Sequence, residues 1–215
     1  MQRFELVAFD LYGTLLDVSG LALRMEAAAG REVAALLPRW RTAQLERSWR
    51  IAAGAPYEPW DAVTLRALGD VAPAVTAEAR ERLAALWATV PAYADAGSAL
   101  AALKARGVRR VVLSNGTRGM IESALGAVGL EVDRVLSADD VRTYKTDPRV
   151  YALLDALADS SRTLFVSSNG WDADGARRTG RLVVWIDPGG EAPTTRPWRR
   201  VTSLSEIPGL LSTGP

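Results

Sequence analysis

The stretch "VAFDLYGTLLD", residues 7–17, carries an apolar run into Asp10, follows it with Leu11, Tyr12, Gly13 and Thr14, and closes on a second acid, Asp17. A carboxylate at the mouth of an apolar run is either a turn former or a group aimed at a ligand. Its surroundings decide between them. Runs of strand length recur at Phe4–Leu11, Arg109–Ser114, Arg162–Ser168 and Leu182–Ile186, with helical patterns between most of them. That alternation predicts an α/β fold with a parallel sheet covered by helices. In such sheets ligands sit beyond the carboxyl ends of the strands, which is where Asp10 falls.

Composition removes whole classes of chemistry. The chain has 215 residues, enough for one core or for a core with a smaller inserted unit. With 26 basic and 25 acidic residues it has no overall field to gather nucleic acid or coat an anionic membrane. Cysteine is absent, which excludes disulfides, thiolate nucleophiles and zinc-thiolate sites and fits a reducing compartment. Histidine is absent too, so Ser-His triads, His-ligated metals and imidazole bases are unavailable. A nucleophile must be Asp, Glu, Ser, Thr, Tyr or Lys. The opening "MQRFELVAFD" lacks the apolar core and cleavage site of a signal peptide, and no apolar run approaches about 18 residues. The expectation is a soluble cytoplasmic protein.

Between the first two strand runs lies a segment dense in Ala, Leu, Arg and Glu that reads as helices only. Within it "PRWRTAQLERSWRIAAG" starts at Pro38, suited to a first helical turn, and stops at Gly54, suited to a helix end. Spacing by four residues puts Arg41, Leu45 and Trp49 on one face. "PWDAVTLRALGD" and "TAEARERLAALWATV" suggest further helices, and "AGSALAALKARG" one that belongs to the sheet again. The expected division is a core of residues 1–16 and 93–215 with a helical cap of residues 17–92. "PGGEAPTTRPWRR" reads as a loop with a small basic cluster, and "RVTSLSEIPGLL" as a short edge strand and a short helix.

Four polar clusters fall at one end of the expected sheet: Asp10, "LSNGT" (113–117), "TYKTDPRVY" (143–151) and "SSNGWD" (167–172). Each alone has a structural reading. Asp10 could form a turn, Ser114-Asn115 and Ser168-Asn169 could cap helices, and Lys145 could be a solvated loop lysine. Their coincidence at one end favours a site.

In these motifs the chain resembles the haloacid dehalogenase (HAD) superfamily, and within it the hydrolytic L-2-haloacid dehalogenases. The likeness rests on "FDLYGTLLD", "RWRTAQLERSWR", "LSNGT", "TYKTDPRVY" and "FVSSNGWDADGA", in the family's order over most of the chain. It implies a HAD-like doubly wound parallel sheet with a helical cap inserted after the first strand. Phosphatases of the superfamily carry a second acid where this chain has Tyr12, and paired acids at the last motif where it has Ser168, Asn169 and the single acid Asp172. A hard cation would find too few charged oxygens there. The resemblance therefore implies no metal and no cofactor, and displacement at carbon rather than phosphorus.

By the same resemblance Asp10 attacks C2 of a short L-2-halo acid or haloacetate, expels halide and forms an ester that water hydrolyses, with inversion at C2. Arg41 and Asn115 receive the halide, while Ser114 and backbone N–H groups after Asp10 receive the substrate carboxylate. Lys145 keeps Asp10 ionised, and Asp172 orients or activates the water with Ser167 and Asn169. Thr14 and Tyr151 are supporting residues. Leu11, Tyr12, Leu45, Trp60 and Trp171 line the apolar side; Trp60 could equally be core, and as a pocket wall it would favour two-carbon acids. Asp17 lies outside the site. Thr42 and Thr146 depart from the glutamine and proline common in relatives. The implied partners are the small 2-halo acid and a second copy in a homodimer, with no nucleic acid and no membrane. Two alternatives stand beside this reading: a Mg²⁺-dependent phosphatase of a small phosphate ester, and a catalytically weak HAD-like binding protein.

Overall fold

The computed structural model describes residues 4–187 and 192–211. The expected core segments also include 1–3, 188–191 and 212–215, which lie outside the described residues, as does the start of the Pro/Gly-rich loop. Strands β1 (Leu6–Phe9), β2 (Arg109–Ser114), β3 (Arg134–Ser137), β4 (Thr163–Ser167), β5 (Leu182–Ile186) and β6 (Arg199–Val201) form one sheet. Its order is β3-β2-β1-β4-β5-β6, and every pairing is parallel. Strands β1 and β4 are buried along their whole length, which is why they read as unbroken apolar runs rather than alternating ones. β3 escapes sequence reading because it is four residues long and starts exposed at Arg134.

The helices, in chain order, are α1 (Ser19–Ala29), α2 (Arg31–Ala34), α3 (Leu37–Ala52), α4 (Trp60–Val71), α5 (Ala77–Ala85), α6 (Ala96–Ala105), α7 (Arg118–Ala127), α8 (Pro148–Ala152), α9 (Gly170–Arg178) and α10 (Ile207–Leu210). The first five, with a 3₁₀ turn at Leu86–Thr89, lie between β1 and α6. The chain leaves and rejoins the sheet side by side: Asp17 N–H donates to the Pro91 carbonyl at 2.7 Å and Tyr93 N–H to the Leu15 carbonyl at 3.0 Å. Asp17 Oδ1 accepts from Ser19 N–H at 2.9 Å as α1 begins, a local structural role.

Helix α3 begins with Pro38 in its first turn and gives way at Gly54, whose φ is +109°. Its most buried row is Trp40, Gln44, Ser48 and Ile51, one step round from the Arg41, Leu45, Trp49 row. Trp40 Nε1–H donates to the Thr64 carbonyl at 2.9 Å and Gln44 Nε2–H to Thr64 Oγ1 at 3.0 Å, fixing α3 on α4. One apolar core runs from Val7 and Phe9 of β1 through Leu15 and Leu21 to Trp40, Leu68 and Trp87. The inserted helices therefore bury their apolar faces against the sheet layer as well as against one another.

Candidate active site

Strand order reverses between β1 and β4, the two central strands: β2 and β3 extend the sheet on one side of β1, β5 and β6 on the other. Loops leaving the two strands at such a point diverge to opposite faces and leave a crevice. Asp10 follows β1, and its N–H donates to the Val166 carbonyl of β4 at 2.9 Å. The chain then turns sharply. Gly13 has φ +93°, a conformation natural to glycine, and its N–H donates to the Leu16 carbonyl at 2.7 Å. That turn brings Thr14 Oγ1 back to donate to Asp10 Oδ2 at 3.1 Å.

Asp10 Oδ2 also accepts from Asn169 Nδ2–H at 2.8 Å, and Oδ1 accepts from Lys145 Nζ at 3.0 Å. Lys145 donates equally to Asp172 Oδ2, at 2.9 Å. Asp172 is completed by Ser167 Oγ on Oδ2 at 3.0 Å and by the Tyr151 hydroxyl on Oδ1 at 2.7 Å. Lys145 and Asp172 are 0 % exposed and Asp10 is 6 % exposed. Charges so buried persist only when paired and hydrogen-bonded. Burial alone would lower the Lys145 ammonium, but Asp10 and Asp172 outweigh it and hold it above its ordinary value. Burial, with the Asp10 charge added, holds the Asp172 carboxyl above its ordinary range against the pull of Lys145.

The backbone at Lys145 is fixed from two sides. Asn115, just past β2, accepts from Lys145 N–H through Oδ1 at 3.0 Å. Tyr144 donates its hydroxyl to the Glu58 carbonyl and stands edge-on to Trp60, centroids 5.3 Å apart. The Lys145–Thr146 peptide bond is cis. Asp147 then accepts from Arg149 N–H at 2.9 Å and opens α8, which carries Tyr151. Ser114 ends β2, and its Oγ accepts from Gly116 N–H at 3.3 Å.

On the helical side Tyr12 is buried and donates its hydroxyl to the Trp87 carbonyl at 3.1 Å. Burial pushes its phenol well above the ordinary value, with the Arg41 charge opposing, so it is neutral. The Arg41 guanidinium lies 5.7 Å from the Trp87 ring centroid. Burial lowers its pKa, while the Asp10 charge raises it; a guanidinium remains protonated under such opposition.

The structure thus joins Asp10, Thr14, Lys145, Tyr151, Ser167, Asn169 and Asp172 in one hydrogen-bonded network, and Asn115 to its edge. Arg41 and Tyr12 share the Trp87 support. Leu45 is half-buried on α3, and Trp171 is half-buried at the start of α9. Leu11 and Trp60 are packed into the two apolar cores. Sequence reading missed Trp87, Tyr57 and Tyr144, because an aromatic inside an apolar helix or beside a motif lysine carries no mark separating support from core. Among the described residues no group of three or more His, Cys, Asp or Glu side chains could hold a metal ion, and no helix is long and apolar enough to cross a membrane.

Known proteins resemble the chain in sequence and in fold. A family model described as haloacid dehalogenase-like hydrolase matches residues 4–180. The (S)-2-haloacid dehalogenase of Pseudomonas sp. (strain YL) is 37 % identical over 99 % of this chain and 97 % of its own. (S)-2-haloacid dehalogenase 4A of Burkholderia cepacia is 38 % identical over 95 % and 93 %. The solved L-2-haloacid dehalogenase from Xanthobacter autotrophicus, with chloropropionic acid covalently bound, superposes with a TM-score of 0.88 at 28 % identity, covering 97 % of this chain and 98 % of that one. Extended over almost the whole length and both layers of the fold, the match is one of descent: the chain belongs to the haloacid dehalogenase-like hydrolases.

Proposed function

We propose that the protein hydrolyses short L-2-halo acids or haloacetates to 2-hydroxy acids and halide, with inversion, through an ester on Asp10. The observation that carries this reading is Lys145, whose ammonium faces both Asp10 and Asp172 at hydrogen-bond distance. It sets a positive charge between the proposed nucleophile and the acid that serves the water. Each carboxylate oxygen has two lone-pair directions. Oδ2 spends both on Thr14 and Asn169, whereas Oδ1 spends one on Lys145, so Oδ1 is the attacking oxygen.

Oδ1 bonds to C2 as the carbon–halogen bond breaks, and the halide leaves with the electron pair toward Arg41 and Asn115. Ser114 and the backbone N–H groups of the Asp10 loop hold the substrate carboxylate. Water then adds to Cγ of Asp10, the Cγ–O ester bond breaks, and the product keeps the Asp10 oxygen. Asp172, positioned by Ser167 and Tyr151, takes one proton of the water and returns it to the departing C2 oxygen, while the second proton leaves to solvent as Asp10 is restored as a carboxylate. Asp10, Lys145, Asp172, Asn169, Ser167, Thr14 and Arg41 are the working residues. Tyr12, Leu45 and Trp171 form the apolar wall, and the division at residues 17–92 separates the cap that supplies Arg41 and Leu45. In the cell the reading is of a cytoplasmic homodimer.

The testing experiment is halide release from L- and D-2-chloropropionate and chloroacetate, with and without chelator, by the native protein and Asp10→Asn. The expected result is chelator-insensitive release that favours the L isomer and falls by about three orders of magnitude or more in the variant. Mg²⁺-dependent phosphate release from small phosphate esters, without halide release, would overturn it.

A further inference from the structure

Helix α3 points a row of three side chains at intervals of four residues: Arg41, Leu45 and Trp49. At one end Arg41 rests over Trp87 and feels the charge of Asp10. Eight residues on, at about 1.5 Å per residue, Trp49 stands roughly 12 Å further along the axis. There the row meets the sheet layer: the Trp49 and Trp171 rings are edge-on, centroids 5.8 Å apart and planes at 75°. Trp171 lies between Asn169, which donates to Asp10, and Asp172. Both ends of the row therefore touch the site, one at its charged floor and the other at its apolar rim.

Trp49 is 39 % exposed, and only it and Leu23 are large apolar side chains of such exposure among the described residues. The partly exposed indole thus packs against Trp171, the chain neighbour of the buried Asp172. Elsewhere the seam between the inserted segment and the sheet layer adds polar bonds to its apolar packing. Tyr57 donates its hydroxyl to Asp139, Arg142 covers the Tyr57 ring at 4.8 Å, and Tyr144 donates to the Glu58 carbonyl. Tyr12 donates to the Trp87 carbonyl. The Trp49–Trp171 contact is an aromatic one, whereas Tyr57, Tyr144 and Tyr12 cross the seam with hydrogen bonds.

We propose that Trp49 is a specificity-determining residue: with Trp171 it closes the substrate pocket at the end away from Arg41, parts to admit the acid, and limits its chain length. The proposal rests on the dehalogenase reading for its substrate class. With halide and carboxylate fixed at the charged floor, the alkyl tail extends past Leu45 toward the indole, and each added methylene must find room there or displace it.

The test compares the full chain with Trp49→Ala, Trp49→Phe and, at a seam residue hydrogen-bonded to Asp139, Tyr57→Phe. Two ratios are measured: kcat/KM for 2-chlorohexanoate over chloroacetate, and calorimetric affinity for hexanoate over acetate. Trp49→Ala is expected to raise both by about tenfold or more, the discrimination that room for added methylenes brings. Trp49→Phe should stay near the native ratios, and Tyr57→Phe should not move them. Ratios within about twofold of native in a folded Trp49→Ala, or an equal shift in Tyr57→Phe, would overturn the proposal. If no protein releases halide, the dehalogenase reading fails, while the affinity ratios still decide the role of Trp49; absence of any carboxylate binding overturns both.

Discussion

Lys145 is the residue on which the site turns, because three charges share one buried volume and only their geometry makes that tolerable. Removing it leaves Asp10 and Asp172 facing each other without a counter-charge. Lys145→Met is therefore expected to lose activity and about 3–5 kcal/mol of stability, read from urea unfolding. The pH dependence has a definite sign. The ammonium is held above its ordinary value of 10.5, so the native state binds this proton more tightly than the unfolded chain does. Its stabilisation is complete below 10.5 and is lost as pH rises through the higher native value. The stability gap between native protein and Lys145→Met should stay constant from pH 8 to about 10 and narrow beyond it; a gap that narrows between pH 6 and 8 would contradict the assignment.

Residues of the candidate site stood out in the sequence wherever they sat in a polar motif. Asp10, Asn115, Lys145, Asn169 and Asp172 all did, and tertiary structure brings them together. Trp87 was not legible, since its two contributions, a carbonyl for Tyr12 and a ring under Arg41, depend on where a helix lands rather than on residue type.

At the scale of elements, α9 approaches α8 closely because Gly175 has no side chain. A Cβ there would lie 2.3 Å from the Tyr151 oxygen and 2.9 Å from its Cζ. Gly175→Ala must displace Tyr151 and with it the hydrogen bond to Asp172. The expected consequence is an ester hydrolysis slowed by about 10²-fold with halide expulsion little changed, so that rapid quench shows a halide burst followed by slow turnover. Loss of the burst and the steady rate in equal measure would mean that α9 acts on both steps.

The strands β1, β2, β4 and β5 were readable from apolar runs, and the helical insertion from its composition. β3 was not, because a strand of four residues beginning with an exposed arginine carries too little pattern. Helix α3 illustrates a second limit. Its periodicity identified the Arg41, Leu45, Trp49 row, but the deeper row holds Gln44 and Ser48, whose polarity hides their burial.

For the whole molecule the apolar core is shared. Phe9 and Leu15 of the sheet layer pack in one cluster with Trp40 and Trp87 of the inserted helices, and Tyr57 and Tyr144 bond across the seam on the other side. The expected behaviour is one cooperative unfolding transition, in which tryptophan fluorescence and far-ultraviolet circular dichroism coincide in urea. Two separated transitions would mean that the inserted helices fold on their own. Cooperative attachment suits the chemistry, since Arg41 and Asp10 belong to different layers and must hold their separation through both steps.

The central claim is that Asp10, not water, makes the new bond to C2, and a single turnover in heavy-oxygen water tests it most directly. With enzyme in excess over L-2-chloropropionate, the hydroxyl oxygen of the product should be light, carried over from the Asp10 carboxylate, and the heavy oxygen should appear in the peptide that contains Asp10. Heavy oxygen in the product of that first turnover, with the Asp10 peptide unlabelled, would contradict the account.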